Sequence, residues 1–341
     1  IGFIAMITVQ FIGGARLFSG VSSVSYELGL GMFVATVLAY TLTGGFRAVV
    51  ITDALQGILM VIGIIAIFIG IIVKGGGIEN IMTVVTQQEP ALVSAKGNAG
   101  QLGWPMMLSF WVLICFGTLG LPHTIVRLLA VKDKKALKRG ILWGTMISFV
   151  MTLIPHLSGV FGRALYPELT VPDQIMPTLI TDLFSPFWGG VLLAAPIAAV
   201  MSSVDSMLLQ SAVTLVRDGA VKRFPDLTAN RQVLLTRVAM LVIAMLAMYF
   251  AITPPDMIVW LNLAAFGALQ AVFLWPVLVG LYWPQVSGNA AMAAMLTGLV
   301  SYLSLVWIKP AMSGIHPIVP ALLLSVCALL MVHMLSKRQT R

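Results

Sequence analysis

The chain has 341 residues, of which 59% are hydrophobic and 9% charged, with a formal charge of +8. Soluble domains carry roughly 25% charged and about 45–50% apolar residues, so a surface built from this chain has too few polar groups to face water. That excludes a soluble enzyme, a nucleic-acid reader and a disordered chain, and leaves a polytopic membrane protein whose solvent is the lipid bilayer.

A membrane-spanning helix needs about 20 apolar residues, because roughly 30 Å of hydrocarbon is crossed at about 1.5 Å per residue. Ten stretches meet this in chain order: 1–18, 28–45, 48–73, 104–126, 139–161, 186–213, 234–252, 257–281, 289–308 and 317–335. The first opens on Ile1 inside an apolar run and reads as starting within a helix. Most joints are short and rich in Gly or Pro, such as Thr253-Pro254-Pro255-Asp256. The two long ones, 74–103 and 162–185, lack the composition of a separate domain, so a single transmembrane domain over 1–341 is expected. Cys115 and Cys327 lie in apolar runs without a pairing motif and read as buried small hydrophobes.

The basic residues give the orientation. With the joint at 44–47 on the cytoplasmic side and the sides alternating, 15 of the 20 Lys and Arg fall inside; Arg16, Lys74, Lys96, Arg163 and Lys309 fall outside. That asymmetry is the one that positive-inside topology requires. It predicts a cytoplasmic loop over 127–139 and a cytoplasmic C-terminus, in an inner membrane.

Ten of the twelve acidic residues lie in joints; Asp53 and Asp205 fall within or at the edge of spans. A carboxylate at the centre of a spanning helix costs about 2.5–3.5 kcal/mol on insertion scales, which makes both ion-coupling candidates. Each is also accommodated as a neutral carboxyl or as a helix-end group reaching the interface. Around Asp205 the chain reads Ala199-Val200-Met201-Ser202-Ser203-Val204-Asp205-Ser206. Residues three and four apart share a helix face, so the Ala199 carbonyl lies near the Ser202 and Ser203 hydroxyls. Three neutral oxygens aimed at one point suit a small hard cation such as Na⁺ if the turn opens. If it stays closed, each serine bonds back to its own helix.

The fourth span contains Phe116-Gly117-Thr118-Leu119-Gly120-Leu121-Pro122-His123. Two glycines and a proline predict an interruption of the helix, either a simple kink or a break exposing backbone groups to a solute. Phe116 and Thr118, with Asn262 and Gln270 of the eighth span, are the candidate wall of a solute pathway. The two amides equally suit bonding to a neighbouring helix. No metal-ligand spacing, nucleophile elbow or phosphate-binding Gly loop is present, so no enzymatic activity and no organic cofactor are expected.

The stretch from Ser23 through Tyr26, Leu30 to Thr36, Tyr40-Thr41 and Gly44-Gly45-Phe46 to Ala48 resembles the signature of the sodium:solute symporter family. Thr52-Asp53-Ala54-Leu55-Gln56 resembles its Thr-Asp-x-x-Gln, and the serine cluster its Ala-x-x-Ser-Ser/Thr sodium motif. A second signature, in the basic loop, is met at Lys135 and Gly140, with Ile141 where Ala is usual. The resemblance implies two inverted repeats of five helices, with 1–73 in the first, 104–281 the second and 289–335 peripheral. It also implies that the first two core helices precede Ile1, so that the residues named here are part of a site. Na⁺ is the implied coupling ion, carried with a small organic anion by alternating access. The phrases Val9 to Leu17, Gly120 to Thr124, Trp260 to Leu263, Ala271 to Pro276 and His316 to Pro320 resemble family members that take up pantothenate. An amino acid or another carboxylate is the alternative solute; an ion channel or a scaffold is the reading from another class.

Overall fold

The structure is a computed structural model that describes residues 2–22, 24–94, 103–255, 257–308 and 314–339, the side chains of 45–48 and 337–339 excepted. Ser23, Lys96, Asp256, Lys309, Ser313 and Arg341 therefore lie outside the described residues, as do the side chains of Gly45, Phe46, Arg47, Ala48, Lys337 and Arg338.

The described residues are helical with no strand. In chain order the α-helices are α1 (Gly2–Ser22), α2 (Tyr26–Lys74), α3 (Ile78–Gln88), α4 (Trp104–Gly117), α5 (Pro122–Leu129), α6 (Lys134–Leu165), α7 (Ile175–Leu183), α8 (Pro186–Thr214), α9 (Ala229–Ala251), α10 (Ile258–Tyr282), α11 (Gly288–Ile308) and α12 (Ile318–Gln339). Among the described residues nine stretches are long and apolar enough to cross a membrane, and ten if α4 and α5 make one bent span. These correspond one for one to the ten stretches expected from the sequence. The long joints carry short helices, α3 and α7.

Helical backbone runs through all 49 residues of α2, where the sequence predicts two spans with a joint at 44–47. The two readings agree in space. Residues 40 and 56 would stand about 24 Å apart on a straight helix, yet the Gln56 side chain reaches the Tyr40 hydroxyl. The helix is therefore not straight between its two arms, Tyr26–Gly44 and Val49–Lys74.

The chain forms two compact units. In the first, residues 3–92 and 138–261, α2 packs along α8. Gly63 lets the second arm meet Ala195 closely, since a Cβ there would collide with the alanine methyl. Ile67, Ile71, Ile81, Val85, Phe161, Leu179 and Ile180 form its buried apolar cluster. Phe33 is fully buried against Phe11 and Phe18, with ring centroids 6.1 and 6.2 Å away. In the second unit, residues 93–137 and 262–341, Leu113, Ala271, Leu274, Tyr302 and Leu322 pack together. There Trp275 Nε1 donates to the Leu322 carbonyl at 2.8 Å.

Residues that alternation assigns to one side meet one another within the first unit. Arg16 pairs with Asp173, Lys74 with Asp182, and Arg163 with Glu89. Arg237 donates to the Leu42 carbonyl at 3.0 Å, both beside inner joints.

One expectation is corrected. Cys115 and Cys327 are free but exposed. Apolarity predicts burial only where the alternative is water; lipid accepts a small apolar side chain as readily as a protein core does.

Candidate functional site

The serine cluster sits on α8, which is unbroken from Pro186 to Thr214 despite Pro196 inside it. The Ser202 and Ser203 hydroxyls both donate to the Ala199 carbonyl, at 3.1 and 3.3 Å, and Ser206 donates to the Ser202 carbonyl at 3.0 Å. The spacing thus converges three oxygens as expected, in the closed form in which the serines bond back to their own helix. Ala199, Ser202 and Ser203 are only half-buried. Their hydroxyls can rotate their lone pairs outward without moving backbone. The donor set is neutral oxygen throughout, which fits a monovalent hard cation.

Asp205, two residues on, is fully buried. Its Oδ1 accepts from the Tyr40 hydroxyl, and the Thr41 hydroxyl lies 3.2 Å away while donating to Val37 at 2.7 Å. Tyr40 and Thr41 belong to the signature stretch, so the first arm of α2 supplies the partners of the acidic residue on α8. Their motif flags these residues, but nothing in a linear sequence shows that they face Asp205. Asp53 lies half-buried on the second arm, one turn before Gln56. Gln56 reaches Tyr40, which bonds Asp205. A cavity of about 30 Å³ lined by Met60, Ile64, Ile67, Met151, Met176, Ala195, Pro196 and Ala199 lies beside the cluster. Its lining is apolar, so it suits no ion and little water.

The four candidate wall residues belong to the second unit. As expected, the fourth span is interrupted: α4 ends at Gly117, a 3₁₀ turn covers Thr118–Gly120, Leu121 is extended (φ −91°, ψ 111°), and α5 starts at Pro122. The bend is 47°. Glycine is needed here because the break lies against α10. A Cβ on Gly117 would strike the Phe266 ring; one on Gly120 would come within 3.1 Å of Gln270 Cα and 3.2 Å of Leu274 N. Gln270 is fully buried and donates from Nε2 to the Val112 carbonyl at 3.0 Å, while its Oε1 has no hydrogen-bond partner. Asn262 likewise has a buried, unpartnered Oδ1. The break and Gln270 are brought together. Phe116 and Thr118 keep exposed side chains, and Asn262, two turns before Gln270, makes no bond to the other three.

Sequence reasoning missed the role of Arg16. It is 8% exposed, on α1, and pairs with Asp173. The signal was present, since an Arg inside an otherwise apolar span demands a partner; only the fold says which.

The profile of the sodium:solute symporter family matches residues 1–298. The chain is 42% identical over 341 residues to the sodium/pantothenate symporter of Haemophilus influenzae, covering 99% of this chain and 70% of that protein. It is 44% identical over 332 residues to the sodium/pantothenate symporter of Escherichia coli, covering 97% and 69%. Similarity to the osmoregulated proline transporter of Bacillus subtilis is lower, 31% over 338 residues, covering 97% and 68%. In three dimensions the chain is similar to a Na⁺-coupled sialic acid symporter solved in a substrate-bound, outward-open state. The TM-score is 0.74 at 19% identity, covering 98% of this chain and 71% of the other.

Proposed function

We propose, from the premise that this chain belongs to the sodium:solute symporter family, that it carries pantothenate across the membrane together with Na⁺. The observation that carries the choice of solute is the gap in identity. The two pantothenate symporters stand at 42% and 44%, and the proline transporter at 31%, over nearly the same residues. A different solute of the family, an amino acid or another carboxylate, is the alternative. The positive-inside asymmetry supports an inner membrane and a cytoplasmic C-terminus.

The chemistry asked of the chain is binding and release, with no covalent step. Na⁺ is held by the Ala199 carbonyl and the Ser202 and Ser203 hydroxyls, which turn from Ala199 to the ion as it enters. Asp53 and Asp205 supply negative charge near the same helix. Phe116, Thr118, Asn262 and Gln270 form part of the solute wall, and the free amide oxygens of Asn262 and Gln270 suit the hydroxyl and amide N–H groups of pantothenate. Residues 1–73 belong to the first inverted repeat, 104–281 form the second, and 289–335 are peripheral. Coupling follows if ion and solute both bind better to one conformation, because a ligand with equal affinity for two states shifts neither.

Uptake of labelled pantothenate and of labelled proline, each with Na⁺ or with K⁺ in its place, tests the reading in the full-length protein. Na⁺-dependent pantothenate uptake, not competed by proline, is the expected result. Pantothenate uptake indifferent to Na⁺ overturns the coupling, and competition by proline overturns the solute.

A further inference from the structure

The end of α9 and the start of α10 are joined by a short proline-bearing segment. Between them lie Pro254 and Pro255, which have no N–H to donate. The first N–H groups of any helix also lack partners within it. In this molecule the missing partners come from far along the chain. Asp173, in the 3₁₀ turn Pro172–Gln174, accepts the backbone N–H of Ile258, the first residue of α10, at 2.9 Å. The same carboxylate oxygen takes Nη1 of Arg16, about two turns before the end of α1. Arg16 in turn donates Nη2 to the Pro255 carbonyl at 2.6 Å. Ten residues after Arg16, at the start of α2, the Tyr26 hydroxyl donates to the Ala251 carbonyl, at the end of α9, at 2.6 Å. The side chains of Arg16 and Asp173 are 10% and 19% exposed.

The carboxylate therefore does two things at once. It caps the positive end of a 25-residue helix, and it neutralises a buried guanidinium. An apolar contact would hold the α9–α10 joint by shape alone. This contact holds it by charge and direction.

We propose that Arg16 and Asp173 are positioning residues of the transport cycle, a clasp that fixes the start of α10 against α1 in one conformation and opens in another. The inference rests on the Na⁺-symport reading, and its function is to set the outer end of the helix that carries Asn262 and Gln270. Neither residue is among the groups assigned above to Na⁺ or to solute. A clasp of this kind makes the conformational equilibrium, and through it the apparent Na⁺ affinity, depend on residues remote from the ion.

The test uses the full-length protein in membranes. Hydrogen exchange is followed in the peptide 257–264, with 240–247 of α9 as reference, with Na⁺ and with K⁺ in its place. Opening of the clasp frees the Ile258 amide, so Na⁺ is expected to change exchange in 257–264 by about tenfold while leaving 240–247 unchanged. Asp173→Asn keeps an acceptor for Ile258 but loses the ion pair. It is expected to abolish most of the Na⁺ response and to shift the Na⁺ concentration for half-maximal uptake by at least about threefold, a readout that a merely structural pair leaves in place. Arg16→Lys, which keeps the charge but loses the planar fork of the guanidinium, should fall between. If Asp173→Asn does not fold, the unmodified protein still decides. Exchange in 257–264 that ignores Na⁺, in a protein whose uptake requires Na⁺, overturns the clasp and leaves the symport reading intact. Uptake that ignores Na⁺ overturns the symport reading, and the clasp with it.

Discussion

At the residue scale, each polar side chain at membrane depth has to be explained by a partner, and the partners differ in kind. Ser202 and Ser203 are bonded to their own helix, at 3.1 and 3.3 Å from the Ala199 oxygen. Replacing either by Ala removes one oxygen and little volume, so the fold should persist. If a lost ligand oxygen is worth roughly 1.4–2.8 kcal/mol, by analogy with a hydrogen bond to a charged group, half-maximal Na⁺ should rise about 10- to 100-fold in uptake assays. An unchanged Na⁺ dependence in both variants would return the pair to helix packing. Asp205 is bonded across helices instead. Tyr40→Phe removes its hydroxyl donor and should destabilise the protein by about 1–3 kcal/mol, read as a lower melting temperature in detergent. Asp205→Asn should cost less, since an amide oxygen still accepts from Tyr40. On α7, the Asp182 carboxyl is held below the ordinary 3.8 by hydrogen bonds from Lys74 and Tyr166. A carboxyl depressed in the folded state contributes stability above its unfolded pKa and loses it as pH falls through the folded one. Melting between pH 7 and pH 2 should therefore show a steeper acid-side fall, beginning near 3.8, for the parent than for Asp182→Asn. The contribution is small because Asp182 is 46% exposed.

At the element scale, glycine decides which helices can touch. Gly298 of α11 lies so close to α10 that a Cβ would collide with the Ala271 carbonyl oxygen, and the obstacle is backbone rather than a side chain that can swing away. Gly298→Ala should force α10 and α11 apart and lower stability by about 1–3 kcal/mol or more. Gly117 meets a movable obstacle, the Phe266 ring, so Gly117→Ala should be milder in the melting assay. Gly120 faces Gln270 Cα and Leu274 N, again backbone. Gly120→Ala should therefore impair uptake more than Gly117→Ala, by displacing the break from Gln270. Equal effects would show that the fit of the break to α10 is not what sets transport. The break itself was legible in the chain, because glycine and proline act locally. Its seat on Gln270 was not, because 150 residues separate Gly120 from Gln270.

At the scale of the whole molecule, the grouping of residues that alternating spans give agrees with the ion pairs. Arg16 and Asp173 stand 157 residues apart, and Lys74 and Asp182 stand 108 apart, yet each pair meets. Both pairs join residues that alternation places on one side, which a miscounted span would have separated. Which side faces the cytoplasm is decided by labelling. In a background lacking Cys115 and Cys327, both of which are exposed, single cysteines at Lys134 and Glu168 should react with a membrane-impermeant reagent from opposite sides. Glu168→Cys is expected to label in intact cells, and Lys134→Cys only after permeabilisation. Labelling of both in intact cells would remove the orientation.

The sequence by itself determined the solvent, the ten spans, their alternation and the place of the interrupted helix. All of these follow from hydropathy, charge and the backbone limits of Gly and Pro, which act over one or two turns. It also located the residues of the serine cluster, since residues three and four apart share a face on any helix. Tertiary structure alone decided that Tyr40 and Thr41 serve Asp205, that Asp173 caps a helix 85 residues away, and that the two cysteines face outward. Hydropathy cannot distinguish a residue buried in protein from one buried in lipid, because both surroundings are equally apolar. A buried charge announces that it needs a partner, but the partner is supplied by whichever helix the fold brings alongside.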